Sequence, residues 1–121
     1  MSTVTTPITK LGRLKKRSEF LHVANRNGKS LYCAKPTLVV QMRKHPERDN
    51  DIKCGFTATK RIGNAVIRNR AKRRLRACAN AYLPRLGRDG YDYVFIARDT
   101  TADAPWESLC VDIEKALLRL K

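Results

Sequence analysis

Basic side chains in a segment without acidic residues are the groups in this sequence that could do chemistry. Eight of the 17 residues from 60 to 76 are Lys or Arg, and no Asp or Glu lies between Asp51 and Asp89. Cationic side chains that have no carboxylate to pair with bind polyanions, and the planar guanidinium of arginine can hold two phosphate oxygens at once. The segment therefore predicts a surface that binds a polyanion.

The same segment is predicted to be a helix from about Ala65 to Tyr82. Asn64 can cap its start by accepting a backbone N–H, and Pro84 is predicted to end it. An apolar stripe at steps of three and four residues should face the core; its members are Ile67, Ala71, Leu75, Cys78 and Tyr82. The basic side chains crowd the other faces, and each like-charge pair costs about 0.2–0.5 kcal/mol. Because a merely soluble helix would interleave Glu, the crowding favours binding over solvation.

Length and charge place the chain among small nucleic-acid-binding proteins. Its 121 residues fit one domain, and its net charge of +15 exceeds what solubility requires. The charge is uneven: residues 1–98 hold 23 basic and six acidic side chains, whereas residues 99–121 hold three basic and five acidic ones. The C-terminal segment is therefore predicted to be scaffold. We expect residues 1–12 to be a disordered tail and residues 13–121 to form the single domain.

Several other functional classes lack their characteristic residues. No apolar run approaches the ~20 residues of a membrane span, and the N-terminus is not a secretory signal, so we expect a cytoplasmic protein. The cysteines are 21, 24 and 32 residues apart, without a metal-binding spacing, which predicts reduced core thiols. Phosphate-binding loops, nucleophile elbows and deaminase motifs are absent, so no active site within the chain is predicted.

Further elements are predicted around the basic helix. A short helix from Glu19 to about Arg26 follows the N-cap Ser18. Strands over residues 37–43 and 52–60 are predicted to form an antiparallel hairpin around the turn at 45–51. A strand over residues 91–97 completes a βαβ unit with the basic helix. A last helix starts near Pro105, and its apolar stripe is predicted to place Trp106 in the core.

Two segments keep alternative interpretations. In the strand from residue 52, Ile52, Cys54, Phe56 and Ala58 should face the core, and the residues between them should face the other way. This second face is small, polar and basic, and it could be either a solvated surface or a shallow cleft for a single strand. Residues 13–17, four of them basic, could be a flexible arm or could contact backbone phosphates.

Residues 56–73 resemble the signature of the bacterial ribonuclease P protein component, including the triplet Arg68-Asn69-Arg70. The resemblance implies an α+β fold, a single-domain α-β-β-β-α-β-α sandwich with a mixed sheet and a left-handed βαβ crossover, similar to a ribosomal protein domain. It also implies an RNA-binding protein that assists a catalytic RNA, which uses Mg²⁺ to remove the 5′ leader from precursor tRNA. The chain alone would then be inactive, and it would pair 1:1 with this RNA.

The resemblance assigns two groups of residues. Contacts to the RNA subunit fall on Lys60, Arg61, Asn64, Arg68, Asn69, Arg70, Lys72 and Arg73, and charge alone adds Arg76. A leader-binding cleft falls on Arg13, Phe20, Val39, Gln41, Lys53, Thr57 and Thr59. Family members often have further aromatic residues where this chain has Ala24 and Gln41. Because stacking contributes about 1–3 kcal/mol per base, we expect Phe20 to be the stacking residue and Lys53 to bind phosphate.

Three alternatives belong to other functional classes. A ribosomal or other structural RNA-binding protein of similar fold would share the charge but would not stimulate leader cleavage. A DNA-binding protein is less well supported, because neither a helix-turn-helix pair nor a zipper flanks the basic segment. A stand-alone nuclease would cleave without added RNA.

Overall fold

The computed structural model describes residues 11–24 and 30–120. In chain order, these residues form the elements β1 (Leu11–Arg13), α1 (Arg17–Ala24), β2 (Leu31–Ala34), β3 (Leu38–Lys44), β4 (Ile52–Thr57), a 3-10 turn (Lys60–Ile62), α2 (Ala65–Leu86), β5 (Tyr91–Ala97) and α3 (Trp106–Arg119). Leu11 and Gly12, which the sequence assigned to the tail, pair in β1 with Ile52 and Lys53. The rest of that predicted tail, residues 1–10, lies outside the described residues.

The strands form one mixed sheet in the order β1-β4-β5-β3-β2. β4 and β5 are parallel neighbours joined through α2, which confirms the predicted βαβ unit. The predicted hairpin between β3 and β4 is wrong, because β5 lies between them and β3 pairs antiparallel with β2 instead. Four consecutive buried residues, 92–95, explain why β5 takes the central position: its side chains are covered on both faces of the sheet.

Helices α2 and α3 pack on one face of the sheet and enclose the main core. On α2 the buried residues are Ala71, Leu75, Cys78, Ala79 and Leu83. Two members of the predicted stripe differ, since Ile67 is 37% exposed and Tyr82 is half-buried. Residues 65–67 at the start of α2 are all exposed, and the Ile67 side chain lies against Gly63.

Helix α2 continues past Pro84 and ends at Leu86, four residues beyond its predicted end. Proline cannot donate a backbone hydrogen bond, but it removes only one bond in the last turn of a long helix. Burial of Leu83, whose carbonyl accepts the Gly87 N–H at 2.7 Å, holds this turn in place. The predicted N-cap is confirmed, because Asn64 Oδ1 accepts the Ile67 N–H at 3.0 Å.

α3 begins at Trp106, directly after Pro105 as predicted, whereas α1 begins earlier than predicted. Trp106 is 43% exposed at the first turn of α3, so its predicted core position is wrong; Leu109, Ile113, Ala116 and Leu117 fill that role. α1 begins at Arg17, two residues early, because Glu19 Oε1 accepts the N–H groups of Lys15 and Lys16, each at 2.9 Å. Its predicted end at Arg26 lies outside the described residues.

Candidate nucleic-acid interface

The sheet face away from α2 and α3 is only partly covered, and we call it the open face. Strand pairing sets its rows of side chains, since residues opposite each other point to the same side. One row contains Tyr32, Gln41, Val94 and Gly55, and the next contains Ala34, Val39, Ile96 and Thr57. On β4, Ile52 and Cys54 are buried in the main core and Phe56 packs against it, as the alternation predicted.

Helix α1 covers one end of the open face. Val23, Leu14 and Val94 form a small buried cluster there, with Phe20 and Ile96 packed against it. The Phe20 ring rests on Gly55, where an added Cβ would lie 2.5 Å from both Cε2 and Cζ of the ring. The absence of a side chain at residue 55 therefore lets the Phe20 ring approach β4 closely, and Phe20 stays partly open to solvent.

Lys53 lies at the start of β4 and has an acidic neighbour. Its Nζ is 4.0 Å from Oε2 of Glu19, and both side chains are partly exposed. Hydrogen bonds from the backbone N–H groups of Lys16 and Lys15 lower the pKa of Glu19, and the charge of Lys53 lowers it further. Glu19 therefore stays ionised and offsets part of the Lys53 charge.

Tyr32 is a residue of the open face that the sequence analysis missed. It pairs with Gln41, and its side chain is 60% exposed. The side chains of a strand alternate between its two faces. Because Cys33 is buried, the adjacent Tyr32 must point to the opposite face, which is the open one. Without the partner strand, however, a four-residue stretch gives no reason to choose a strand over a loop.

The structure brings together most of the predicted cleft residues but not all of them. Val39, Gln41 and Thr57 line the open face next to Phe20. Thr59 follows the end of β4 and lines a separate depression of about 330 Å³ with Arg61 and Arg98. Arg13 pairs with Cys54 at the sheet edge, and it lines both a depression with Glu19 and Lys53 and a recess with Phe20 and Arg76.

The predicted RNA-subunit residues lie on the 3-10 turn and along α2. Most are exposed: Lys60, Arg61, Asn64, Asn69, Arg70 and Arg73. Arg68, Lys72 and Arg76 are half-buried, and they follow at steps of four, so they form one line along the helix. Lys72 and Arg76 reach the recess beside Phe20 and Phe56. This line of cations therefore borders the sheet edge at which the open face begins.

Two arginines of α2 make contacts within the protein. Arg70 Nε donates to the Ala102 carbonyl at 2.7 Å. Arg74 donates to the carbonyls of Thr101, at 2.7 Å, and Ala104, and its guanidinium lies 6.0 Å from the Trp106 ring centre. These bonds fix the loop before α3 to the basic helix. Arg74 therefore has a structural role, and Arg70 combines such a role with an exposed position.

A family model described as Ribonuclease P matches residues 8–121. The chain belongs to the ribonuclease P protein family. It is 45% identical over 111 residues to the Ribonuclease P protein component of Caulobacter vibrioides, covering 92% of this chain and 72% of that protein. It is also 45% identical over 111 residues to the protein of the same name from Ruegeria pomeroyi, covering 88% and 84% of the two chains.

Solved structures of ribonuclease P proteins have the same fold. The protein from Staphylococcus aureus superposes with a TM-score of 0.75 at 27% identity, covering 93% of this chain and 97% of that one. The protein from Thermotoga maritima, at 21% identity, has a TM-score of 0.72 over 90% of this chain and 97% of its own, a likeness of fold alone. The predicted family and the α+β fold are confirmed, and the chain is a ribonuclease P protein subunit.

One groove of this ribonuclease P protein does not suit RNA. It has a volume of about 740 Å³ and lies between the turn joining β2 to β3 and the start of α3. Four carboxylates line it, those of Asp99, Asp103, Glu107 and Asp112. Asp112 accepts hydrogen bonds from the Thr37 N–H at 3.1 Å and hydroxyl at 2.7 Å. The four carboxylates would repel phosphate groups, so this groove is a poor site for a polyanion.

Metal ligands are not clustered in the part of the chain that the structure describes. Within residues 11–24 and 30–120, no three His, Cys, Asp or Glu side chains come together in a group that could hold a metal ion. All four cysteines are free, and Cys33, Cys54 and Cys78 are buried. In the same ranges, the helices are too short or too polar to cross a membrane.

Proposed function

We propose that this ribonuclease P protein binds the catalytic RNA through the cations of α2 and the 5′ leader of precursor tRNA through the open face. One observation supports both parts: the line of Arg68, Lys72 and Arg76 borders the edge of a partly uncovered sheet face that carries aromatic side chains. Two RNA segments could thus be held side by side. The RNA partner performs the cleavage and holds Mg²⁺, and the protein chain, in 1:1 complex with it, supplies binding.

The cations of the 3-10 turn and of α2 act by neutralising phosphates. Lys60, Arg61 and Arg73 are exposed, and residues 52–88 contain no acidic side chain that could pair with them. If six phosphates are bound, log affinity for RNA should fall with log salt concentration with a slope of about 4–5. The same neutralisation lowers the repulsion between RNA segments, so the protein should matter most at low Mg²⁺.

The open face acts by recognising a single strand. Phe20 and Tyr32 offer two ring surfaces on which bases can stack, separated by polar and aliphatic positions that tolerate any base. Only precursor tRNA has a 5′ leader to place there. Stacking therefore raises the affinity for precursor over mature tRNA and favours product release after cleavage.

The RNA-subunit surface is tested by a pair of matched double variants. Arg61→Ala/Arg73→Ala removes two exposed cations of the proposed surface, and Lys115→Ala/Arg119→Ala removes two exposed cations of α3. We expect the first variant to weaken binding to the catalytic RNA at least tenfold at low salt and the second to change it little. Equal losses would mean that net charge alone governs the affinity and would remove the assignment.

The leader surface is tested with precursor and mature tRNA bound to the complex of protein and catalytic RNA. Phe20→Ala/Tyr32→Ala should lower the affinity for precursor by about 5–150-fold per stacked base, corresponding to about 1–3 kcal/mol, and should leave mature tRNA unaffected. Urea denaturation provides the folding control, because Phe20 also packs against the small cluster. A similar loss for both tRNAs would exclude the open face as the leader site.

Stimulation of cleavage separates this function from that of a structural RNA-binding protein. Precursor tRNA is incubated at low Mg²⁺ with the catalytic RNA, with the protein, and with both. We expect rapid leader removal only when both are present. Cleavage by the protein alone would show that it is a nuclease, and lack of stimulation would favour the structural RNA-binding alternative.

A further inference from the structure

A small recess lies where the sheet edge meets α1 and α2, and we call it the edge notch. Its volume is about 90 Å³, about three times the volume that one water molecule occupies in the liquid. Three cations line it: Arg13 from β1, and Lys72 and Arg76 from α2. The notch has room for a tetrahedral oxyanion.

The walls of the edge notch offer no competing negative charge. Apart from the three cations it is lined by Leu14, Phe20, Cys54, Gly55 and Phe56. Among the described residues, those that line it therefore include no carboxylate. Glu19 lines a neighbouring depression instead, together with Lys53 and with Arg13, which borders both. An anion in the edge notch would meet positive charge on an apolar floor, where electrostatic attraction is stronger than in water.

The two arginines approach the notch from opposite sides. Arg76 lies over the Phe56 ring, 5.6 Å from its centre, and its Nε is buried without a hydrogen-bond partner. Arg13 pairs with Cys54 across the sheet edge. Burial raises the pKa of the Cys54 thiol to about 11, and the charges of Arg13 and Arg76 both act to lower it. Both guanidinium groups thus act on one thiol that itself lines the notch.

We propose that the edge notch binds a single phosphate group of the RNA backbone, held jointly by Arg13, Lys72 and Arg76. The inference rests on the proposed RNA-binding function and deepens it, since it moves Arg13 from the leader cleft to a shared site with Arg76. Phe20 forms one wall of the notch and α2 forms another. The bound phosphate therefore lies where the RNA on α2 and the strand on the open face meet.

The salt dependence of RNA binding tests whether the arginines share one phosphate. Arg13→Gln/Arg76→Gln and the control Arg61→Gln/Arg73→Gln each remove two positive charges. Each phosphate contact contributes about 0.7–0.9 to the slope of log affinity against log salt. We expect the slope to fall by one contact, about 0.7–0.9, in the notch variant and by two contacts, about 1.4–1.8, in the control. An unchanged slope in the notch variant would overturn the proposal.

Inorganic phosphate tests whether the notch itself is the site. In the free protein, titration with inorganic phosphate should shift the amide resonances of Cys54 and Gly55. The shift should persist in Arg61→Gln/Arg73→Gln and disappear in Arg13→Gln/Arg76→Gln, with circular dichroism confirming that both variants fold. No shift in the wild-type protein, or an equal shift in all three proteins, would overturn the proposal.

The two measurements together separate the remaining outcomes. Inorganic phosphate could shift the Cys54 and Gly55 resonances while the slope of log RNA affinity against log salt falls by two contacts in the notch variant. The notch would then bind an adventitious ion only, and the proposal would fail while RNA binding stands. If neither double variant alters RNA affinity, the RNA-binding function fails and the shared phosphate fails with it.

Discussion

Gly55 has no Cβ, and this allows the Phe20 ring to lie against the backbone of β4. An added Cβ would lie 2.5 Å from two ring carbons and 3.2 Å from the Leu14 Cβ, closer than such atoms pack. The backbone around Gly55 is ordinary strand, so the glycine serves close approach and not an unusual conformation. Gly55 and Phe20 therefore act as one unit that gives the open face its aromatic surface.

We expect Gly55→Ala to lower the free energy of unfolding by about 1–3 kcal/mol, the usual effect of overpacking a tight site. Urea denaturation measures the loss. Gly12→Ala is the control, since its Cβ would meet only the flexible Lys53 side chain, at 3.0 Å, and should cost less. Adding Phe20→Leu to Gly55→Ala should restore part of the stability. A Gly55→Ala protein as stable as the wild type would show that the ring lies elsewhere.

Asn64 and Arg13 show which residue roles could be predicted from the sequence. The cap of α2 depends on residues three positions apart, so its local signal is visible, and the hydrogen bond to Ile67 N confirms it. The position of Arg13 depends on pairing with Cys54, 41 residues away. A sequence gives no distance between such residues, so it could not show that Arg13 lies beside Cys54 at the sheet edge.

The same distinction holds for whole elements. Amphipathic periods and caps correctly predicted that α2, β5 and α3 exist, because these signals repeat within one element. The pairing partner of a strand has no such signal within the strand itself. β3 and β4 are consecutive in this part of the chain and alternate well, yet burial places β5 between them. The prediction of a hairpin failed because adjacency along the chain was taken as adjacency in the sheet.

Neighbouring arginines of α2 should behave differently when replaced. Arg74→Ala removes two bonds to the loop carbonyls of Thr101 and Ala104, and hydrogen bonds to charged groups contribute about 1.5–3 kcal/mol each. We expect it to lower the free energy of unfolding by at least 1.5 kcal/mol. Arg73→Ala, at an exposed position, should leave unfolding unchanged and weaken RNA binding. Urea denaturation and RNA titration of both variants measure this, and matching profiles would contradict the division of roles.

The contact between α2 and α3 should lose stability at high pH. Cys78 Sγ lies 3.8 Å from Cys110 Sγ, and burial raises the pKa of the Cys78 thiol to about 12, from an ordinary value of 9.0. The unfolded chain therefore releases this proton first, so stability is complete below pH 9 and declines up to about pH 12. Unfolding free energies measured across this range should fall less steeply for Cys78→Ala than for the wild type. Parallel curves would exclude this thiol as the cause.

On the scale of the whole molecule, the location of charge matters more than its sum. The net charge is +15, yet carboxylates line the groove at the start of α3, whereas every charged residue of α2 is basic. Salt screens exposed charges beyond about 8–10 Å. Carboxylates that lie farther than this from a bound phosphate should therefore influence RNA binding only weakly, although they count fully towards the net charge.

Two triple variants that change the net charge by the same amount in opposite directions test this. Asp103→Asn/Glu107→Gln/Glu114→Gln, at three exposed positions, adds three units and creates no phosphate contact, so the slope of log RNA affinity against log salt should stay unchanged. Lys60→Gln/Arg61→Gln/Arg73→Gln removes three units at the proposed interface, so the slope should fall by about 2–3. Changes of equal size and opposite sign would mean that RNA responds to the total charge of the protein, and the basic surface of α2 would then not be a defined binding site.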